Sequence, residues 1–241
     1  EKKVDMNFIG KKMGYTGVPG SFAHEVLMDL VKEHNLDIYN YSTHEDLVEG
    51  VAGGEVDYGV IPIENSSTGE VRDTIDLIKE RDVFIVGEVA LKIKQNLLGL
   101  KGSSISDIKT VYSHEQALMQ CSKFLKEHAD WELIPYTNTA ASEELIKKED
   151  KKENACIANI KTRDIYDLEV LAEGINNNKE NYTRFVVIGK KLEVSENCNK
   201  ISIVTATEHK AGSLFKLLEI FFNENLNMVS IKSRPMQNKT W

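Results

Sequence analysis

Short apolar runs alternate with capped amphipathic stretches along most of this chain, and that alternation restricts it to the α/β class. Met13 to Thr16 reads as a strand and Gly17-Val18-Pro19-Gly20 as a turn. Ser21 is then the N-cap of a helix with Phe22, Val26, Leu30 and Val31 along one side. Ile38 to Tyr41 is a second strand, and Ser42 with Glu45 gives a capping box for a helix that ends near Gly53-Gly54. Tyr58 to Ile61 is a third strand, stopped by Pro62. Val71, Ile75 and Ile78 mark the next helix face, and Val83 to Val89 returns as a strand.

A second α/β set runs from about Gln95 to Ala172. Thr110 to Tyr112 leads into a helix carrying Ala117, Cys121, Phe124 and Leu125, and Leu133-Ile134 into one containing Leu145 and Ile146. Ala155 to Ala158 is a buried strand, and Asp164 to Asp167 ends the short helix after it. The polar stretch 176–180 is a surface loop that delivers Thr183 to a final apolar strand. Residues 190–199 lack apolar periodicity and read as a linker. Beyond them Ile201 to Val204, a helix with Leu214, Leu217, Leu218 and Phe221 on one face, and Met228 to Ile231 make one βαβ unit. Such a unit rarely buries enough area to be stable alone.

Composition narrows the function. The longest apolar runs fall far short of the roughly 20 residues of a membrane span, and no secretory apolar region opens the chain. Cys121, Cys156 and Cys198 form no CxxC pair, which disfavours a disulfide framework or zinc site and fits a reducing cytoplasm. A net charge of −8 disfavours non-specific nucleic-acid binding, so an anionic ligand requires a locally favourable pocket. No HExxH, GxSxG, GxGxxG or Walker-type loop is present, so neither a metal nor a cofactor is expected.

The chemistry-bearing residues gather where apolar runs meet turns, the place where an open α/β sheet puts its ligand. Pro62-Ile63-Glu64-Asn65-Ser66 follows one run, and Asn181-Tyr182-Thr183-Arg184-Phe185 opens another. Ser21, Asn65-Ser66, Ser113 and Thr139 each stand just before a helix, where free N–H groups and the dipole favour anions. Each is also an ordinary N-cap, and only their coincidence suggests a ring suited to carboxylates. Glu64 alone reads more readily as a solvated turn residue than as an acid or base, and Arg184 as either a surface cation or a buried partner. His24 and His114 sit near helix starts, where capping is the commoner role.

These residues resemble the prephenate dehydratase family over essentially the whole chain. Gly17 to Phe22 looks like the family's Gly-Pro-x-Gly-Thr/Ser-Phe turn, and Pro62 to Ser66 with Gly69 and Val71 matches its most distinctive segment. Ser113-His114-Glu115-Gln116-Ala117-Leu118 is similar to its Ser-His-Pro-Gln-Ala-Leu stretch with Glu115 in place of proline, and Thr183-Arg184-Phe185 carries its Thr-Arg-Phe signature. Residues 200–241 resemble part of an ACT domain, the α+β, ferredoxin-like module in which this family binds phenylalanine. There Ala211-Gly212-Ser213-Leu214 is similar to the effector turn. Lys232-Ser233-Arg234-Pro235 stands where Glu-Ser-Arg-Pro is usual.

The resemblance implies two α/β subdomains like those of type II periplasmic binding proteins, with the substrate in the cleft between them. The first would hold residues 10–92 and 180–189, the second 93–179. It implies cofactor-free, decarboxylating dehydration of prephenate to phenylpyruvate, in a cytoplasmic homodimer or homotetramer under phenylalanine control. Thr183 would donate to the departing hydroxyl, backed by Glu64. Ser21, Asn65, Ser66, Ser113, Gln116, Thr139, Arg184 and Phe185 would bind substrate, and Ala211, Gly212, Ser213, Leu214, Ser233 and Arg234 the effector. Two alternatives stand beside this: an arogenate dehydratase, and a non-catalytic receptor for small carboxylates. Some family members carry a chorismate mutase domain upstream, and this chain begins at Glu1 without methionine.

Overall fold

The computed structural model describes residues 8–31, 37–136 and 139–233. The chain divides into two compact units, Glu1–Lys200 and Ile201–Trp241.

The first unit is mixed α/β with two sheets. One sheet is built from β1 (Met13–Thr16), β2 (Ile38–Tyr41), β3 (Tyr58–Asn65), β4 (Gly69–Glu70), β5 (Phe84–Lys92) and β11 (Tyr182–Gly189). Its order is β2-β1-β3-β11-β5, with β4 on the end of β3. Helices α1 (Phe22–Val31), α2 (His44–Gly53) and α3 (Arg72–Glu80) connect these strands. The second sheet, in order β10-β6-β9-β7-β8, uses β6 (Asn96–Gly99), β7 (Thr110–Ser113), β8 (Glu132–Pro135), β9 (Asn154–Ala158) and β10 (Glu169–Ala172). Helices α4 (Glu115–Gln120), α5 (Ser122–Lys126), α6 (Thr139–Glu149) and α7 (Thr162–Tyr166) flank it.

The late strand β11 crosses back to the first sheet and lies antiparallel between β3 and β5. Its composition explains that central place. Phe185 and Val187 enter the core under α1, while Val186 and Ile188 enter the one packed with Leu47, Val48 and Val51 of α2. A strand apolar on both faces belongs in the middle of a covered sheet. The return carries Thr183 to the end of β3, where it pairs with Asn65.

Several local expectations shift. The α2 cap is Thr43, whose Oγ1 accepts from Asp46 N at 3.0 Å, rather than Ser42 with Glu45. Both pairs have capping spacing, and with α2 beginning at His44 it is Thr43 that occupies the cap position. Pro62 does not stop β3, which runs on to Asn65. β1 pairs only as far as Val60, and the β11 register shifts between Arg184 and Phe185, so Pro62 sits at a bulge where its missing N–H is tolerated. The helix expected through Ala117 and Leu125 breaks at Cys121 into α4 and α5.

In the second unit α8 (Ser213–Asn223) forms as expected, but 201–204 and 228–231 make no strand pairing. Their apolar side chains, among them Ile201, Ile203, Val229 and Ile231, are exposed. A strand gains its backbone partners from a sheet, and two short segments with one helix supply neither a full ladder nor a core. Across the described residues no helix is long and apolar enough to cross a membrane.

Candidate functional site

The ends of β3 and β11 hold an amide cluster organised around Asn65. The Asn65 Oδ1 accepts from the backbone N–H of Ser67 at 2.9 Å and of Thr68 at 3.1 Å, and from Thr68 Oγ1 at 3.3 Å. Backbone N–H groups only donate, which fixes the oxygen on that side of the amide. Nδ2 therefore faces the other way, donating to Asn181 Oδ1 at 2.9 Å and to Thr183 Oγ1 at 2.8 Å. Asn65 and Asn181 are both buried, where an unpaired amide would be costly, and each has its partners. Ser66 closes the cluster, accepting at Oγ from Tyr182 N at 2.9 Å.

Glu64 and Arg184 are the next pair along the same ladder, and successive side chains of a strand point to opposite faces. They therefore lie on the sheet face away from Asn65 and Thr183. The Arg184 guanidinium meets Glu64 Oε2 at 2.7 Å and Glu88 Oε2 at 3.7 Å, and Lys200 Nζ reaches Glu88 Oε1 at 2.7 Å. Glu64 thus pairs with Arg184, and the strand pleat sets both on the face away from Thr183.

A cavity of about 220 Å³ opens at strand ends of both sheets, lined by Ser21 and Phe22 of the first and Gln95, Gln116, Gln120 and Asn159 of the second, among others. It is smaller than the roughly 300–1,000 Å³ of pockets for drug-sized ligands, and suits a small metabolite. Among the described residues the lining contains no Lys, Arg, Asp or Glu. Gln116 links the cavity to the Asn65 cluster, donating from Nε2 to Thr68 Oγ1 at 3.1 Å. His114, also in the lining, caps α4 by accepting from Gln116 N at 3.3 Å.

The loop before α1 is held closed on itself. Ser21 Oγ accepts from His24 N at 3.3 Å, and His24 Nδ1 accepts from Gly20 N at 3.1 Å. Burial lowers the His24 pKa below its ordinary 6.5, consistent with a neutral ring that accepts at Nδ1. Gly20 has φ +88°, and a Cβ there would meet Thr162 Cγ2 at 2.4 Å, so only glycine fits.

The remaining expected residues are placed as follows. Ser113 is fully buried, and its Oγ donates to Ile157 O at 2.9 Å, bracing β7 against β9. Phe185 is a core residue under α1, since it follows Thr183 by one pleat into the apolar layer. Thr139 opens α6. In the second unit, Ala211 and Gly212 form the exposed turn before α8, with Gly212 at φ +84°. Ser213 begins the helix, and Leu214 and Ser233 are exposed. Arg234 lies outside the described residues. Among the described residues no group of three or more His, Cys, Asp or Glu side chains is placed to hold a metal.

Sequence reading missed Gln95, Gln120, Asn159 and Thr68. Asn159 follows the buried β9 directly, so the strand-end rule that picked Ser21 would have found it.

The family model for prephenate dehydratase matches residues 13–193, which contain both strand ends and the cavity. The chain belongs to the prephenate dehydratase family. The bifunctional chorismate mutase/prephenate dehydratase of Escherichia coli strain K12 is 32% identical over 234 residues, covering 95% of this chain and 61% of the relative. The chain spans less than two thirds of the length of the bifunctional relatives it matches. Among solved structures, prephenate dehydratase from Arthrobacter aurescens in complex with L-Phe superposes with a TM-score of 0.81 at 27% identity, over 94% of this chain and 76% of that one. The prephenate dehydratase of Staphylococcus aureus Mu50 does so at 0.78 and 28%, over 95% and 85%.

Proposed function

We propose that the chain catalyses the decarboxylating dehydration of prephenate to phenylpyruvate. The observation that carries this reading, within the family assignment, is the direction of one hydrogen bond: Thr183 Oγ1 accepts from Asn65 Nδ2 at 2.8 Å. With its acceptor side engaged by an amide that can only donate there, the Thr183 hydroxyl keeps its own proton for a ligand oxygen. In the reaction the bond from the ring carbon to its carboxylate breaks. Its electron pair enters the ring, and the C–O bond opposite breaks as hydroxide leaves. The leaving group takes up one proton, giving water, carbon dioxide and aromatic phenylpyruvate. An aliphatic hydroxyl is too weak an acid to ionise freely, so Thr183 stabilises the departing hydroxide by donation and recovers any proton given from solvent.

The second sheet's amides supply the rest. Gln95, Gln116, Gln120 and Asn159, with Ser21, offer neutral donors to substrate carboxylates in a cavity whose described lining has no Lys or Arg. Such donors bind an anion without placing a competing charge beside the carboxylate that must lose its electrons. Residues 201–241 are read as part of an ACT-type module taking phenylalanine, a reading supported by likeness to the relative solved with L-Phe; a cytoplasmic homo-oligomer belongs to the same proposal.

The test is cofactor-free turnover of prephenate, followed as phenylpyruvate, with arogenate in parallel. Turnover of prephenate supports the assignment and preference for arogenate moves the substrate. Tight binding of both without turnover makes the cleft a receptor.

A further inference from the structure

We propose that Thr68 is a positioning residue for this reaction, orienting Gln116 against the Asn65 turn through a single hydroxyl; the role rests on the prephenate reading above. A hydroxyl has one proton to donate and lone pairs to accept with. Thr68 Oγ1 lies 3.3 Å from Asn65 Oδ1, an atom that can only accept, so the proton goes there. Its remaining neighbour, Gln116, must then act as donor, and the contact at 3.1 Å is made by Nε2. The direction of this bond turns Gln116 Oε1 away from Thr68. On the other side of Asn65 the same polarity directs Nδ2 onto Thr183.

The turn itself explains how one residue can do this. Oδ1 of Asn65 bonds the N–H groups two and three positions on, a side-chain-closed turn that brings residue 68 back over the amide. Gln116 comes from α4, beside the other sheet, and lines the cavity. Thr68 is thus the junction between the strand end that bears Thr183 and a cavity-lining amide of the second sheet. Without the hydroxyl, the two backbone N–H groups still hold Asn65. Gln116 alone loses its fixed orientation.

Purified full chain is assayed with prephenate as wild type, Thr68→Val, Thr68→Ser, Gln116→Leu and the Thr68→Val/Gln116→Leu double variant, with denaturation midpoints alongside. The expected result is a loss of about tenfold in kcat/KM for Thr68→Val, the scale of one hydrogen bond. It is carried mainly by KM, largely restored in Thr68→Ser, and not additive with Gln116→Leu. Unchanged kcat/KM in Thr68→Val, a loss that serine does not restore, or additive losses would overturn the role. The side-chain amide resonances of Gln116 provide a second reading that needs no turnover. Thr68 and Gln116 are both exposed, so the difference is modest: these protons should exchange with solvent a few-fold more slowly in wild type than in Thr68→Val, and equal exchange in both overturns the inference. Wild type that fails to convert prephenate while showing this difference would remove the proposed reaction and leave the network standing.

Discussion

Glu64 and Arg184 face each other across the β3–β11 ladder, 2.7 Å apart, on the side of the sheet turned away from Thr183. Their side chains are 37% and 30% exposed, so solvent screens the pair, and a double-mutant cycle with Glu64→Gln and Arg184→Met should give a stability coupling of roughly 0.2–1 kcal/mol. The cycle is read from urea denaturation midpoints. Zero coupling would contradict the pairing, while coupling seen only in kcat would place Glu64 in the chemistry instead.

Phe185 and Ser113 act on stability. Phe185→Ala removes a ring from the core under α1 and should cost about 3–5 kcal/mol. Ser113→Ala leaves the Ile157 carbonyl without its side-chain donor and should cost roughly 1–2 kcal/mol. In the fraction that remains folded, KM for prephenate should stay within twofold of wild type. A large KM rise with unchanged midpoint would return either residue to the binding site.

Gly20→Ala should damage the cleft mouth. The substitution strains a backbone at φ +88° and drives its methyl into Thr162, whose helix lies beside the other sheet. The expected cost is about 1–3 kcal/mol with weakened substrate binding, measured by denaturation and by KM. Wild-type values for both would mean the loop relaxes freely.

Mild acid should destabilise the fold. Burial lowers the pKa of His24, and of His44 despite the opposing charge of Asp73, below the ordinary 6.5. The unfolded chain therefore takes up protons first as pH falls, so stability present above pH 6.5 is lost as the pH drops through the lower folded values. Denaturation midpoints should decline from pH 7 toward pH 5 and decline less in His24→Gln. A midpoint that rises over this range would contradict the sign.

Much of the fold was legible because its signals are local. The first strand, the second strand and the Ser21 cap rest on short apolar runs bounded by turn residues, and the structure places them there. What was not legible depends on partners distant in sequence. Pro62 looks like a stop until β11 pairs on past it, leaving Ile63 bulged out of β3, and 201–204 has a strand's alternation without a sheet to join. The site divides in the same way. Thr183 and Asn65 stood out as polar residues at strand ends. That Glu64 turns from Thr183 follows from cross-strand register, which no single segment encodes. Thr68 and Asn159 were passed over because Thr and Asn in turns are commonplace, and only the network distinguishes them.

The central claim is that the Thr183 hydroxyl donates to the departing hydroxide, and kcat for prephenate in Thr183→Val, with Thr183→Ser as the conservative partner, tests it most directly. Valine keeps the shape and removes the donor. Expected is a fall in kcat of about 10²–10⁴-fold in the folded enzyme, beside a stability loss of roughly 1–2 kcal/mol for the Asn65 amide left without this acceptor, and substantial recovery of both in serine. A valine variant that turns prephenate over at the wild-type rate would contradict it.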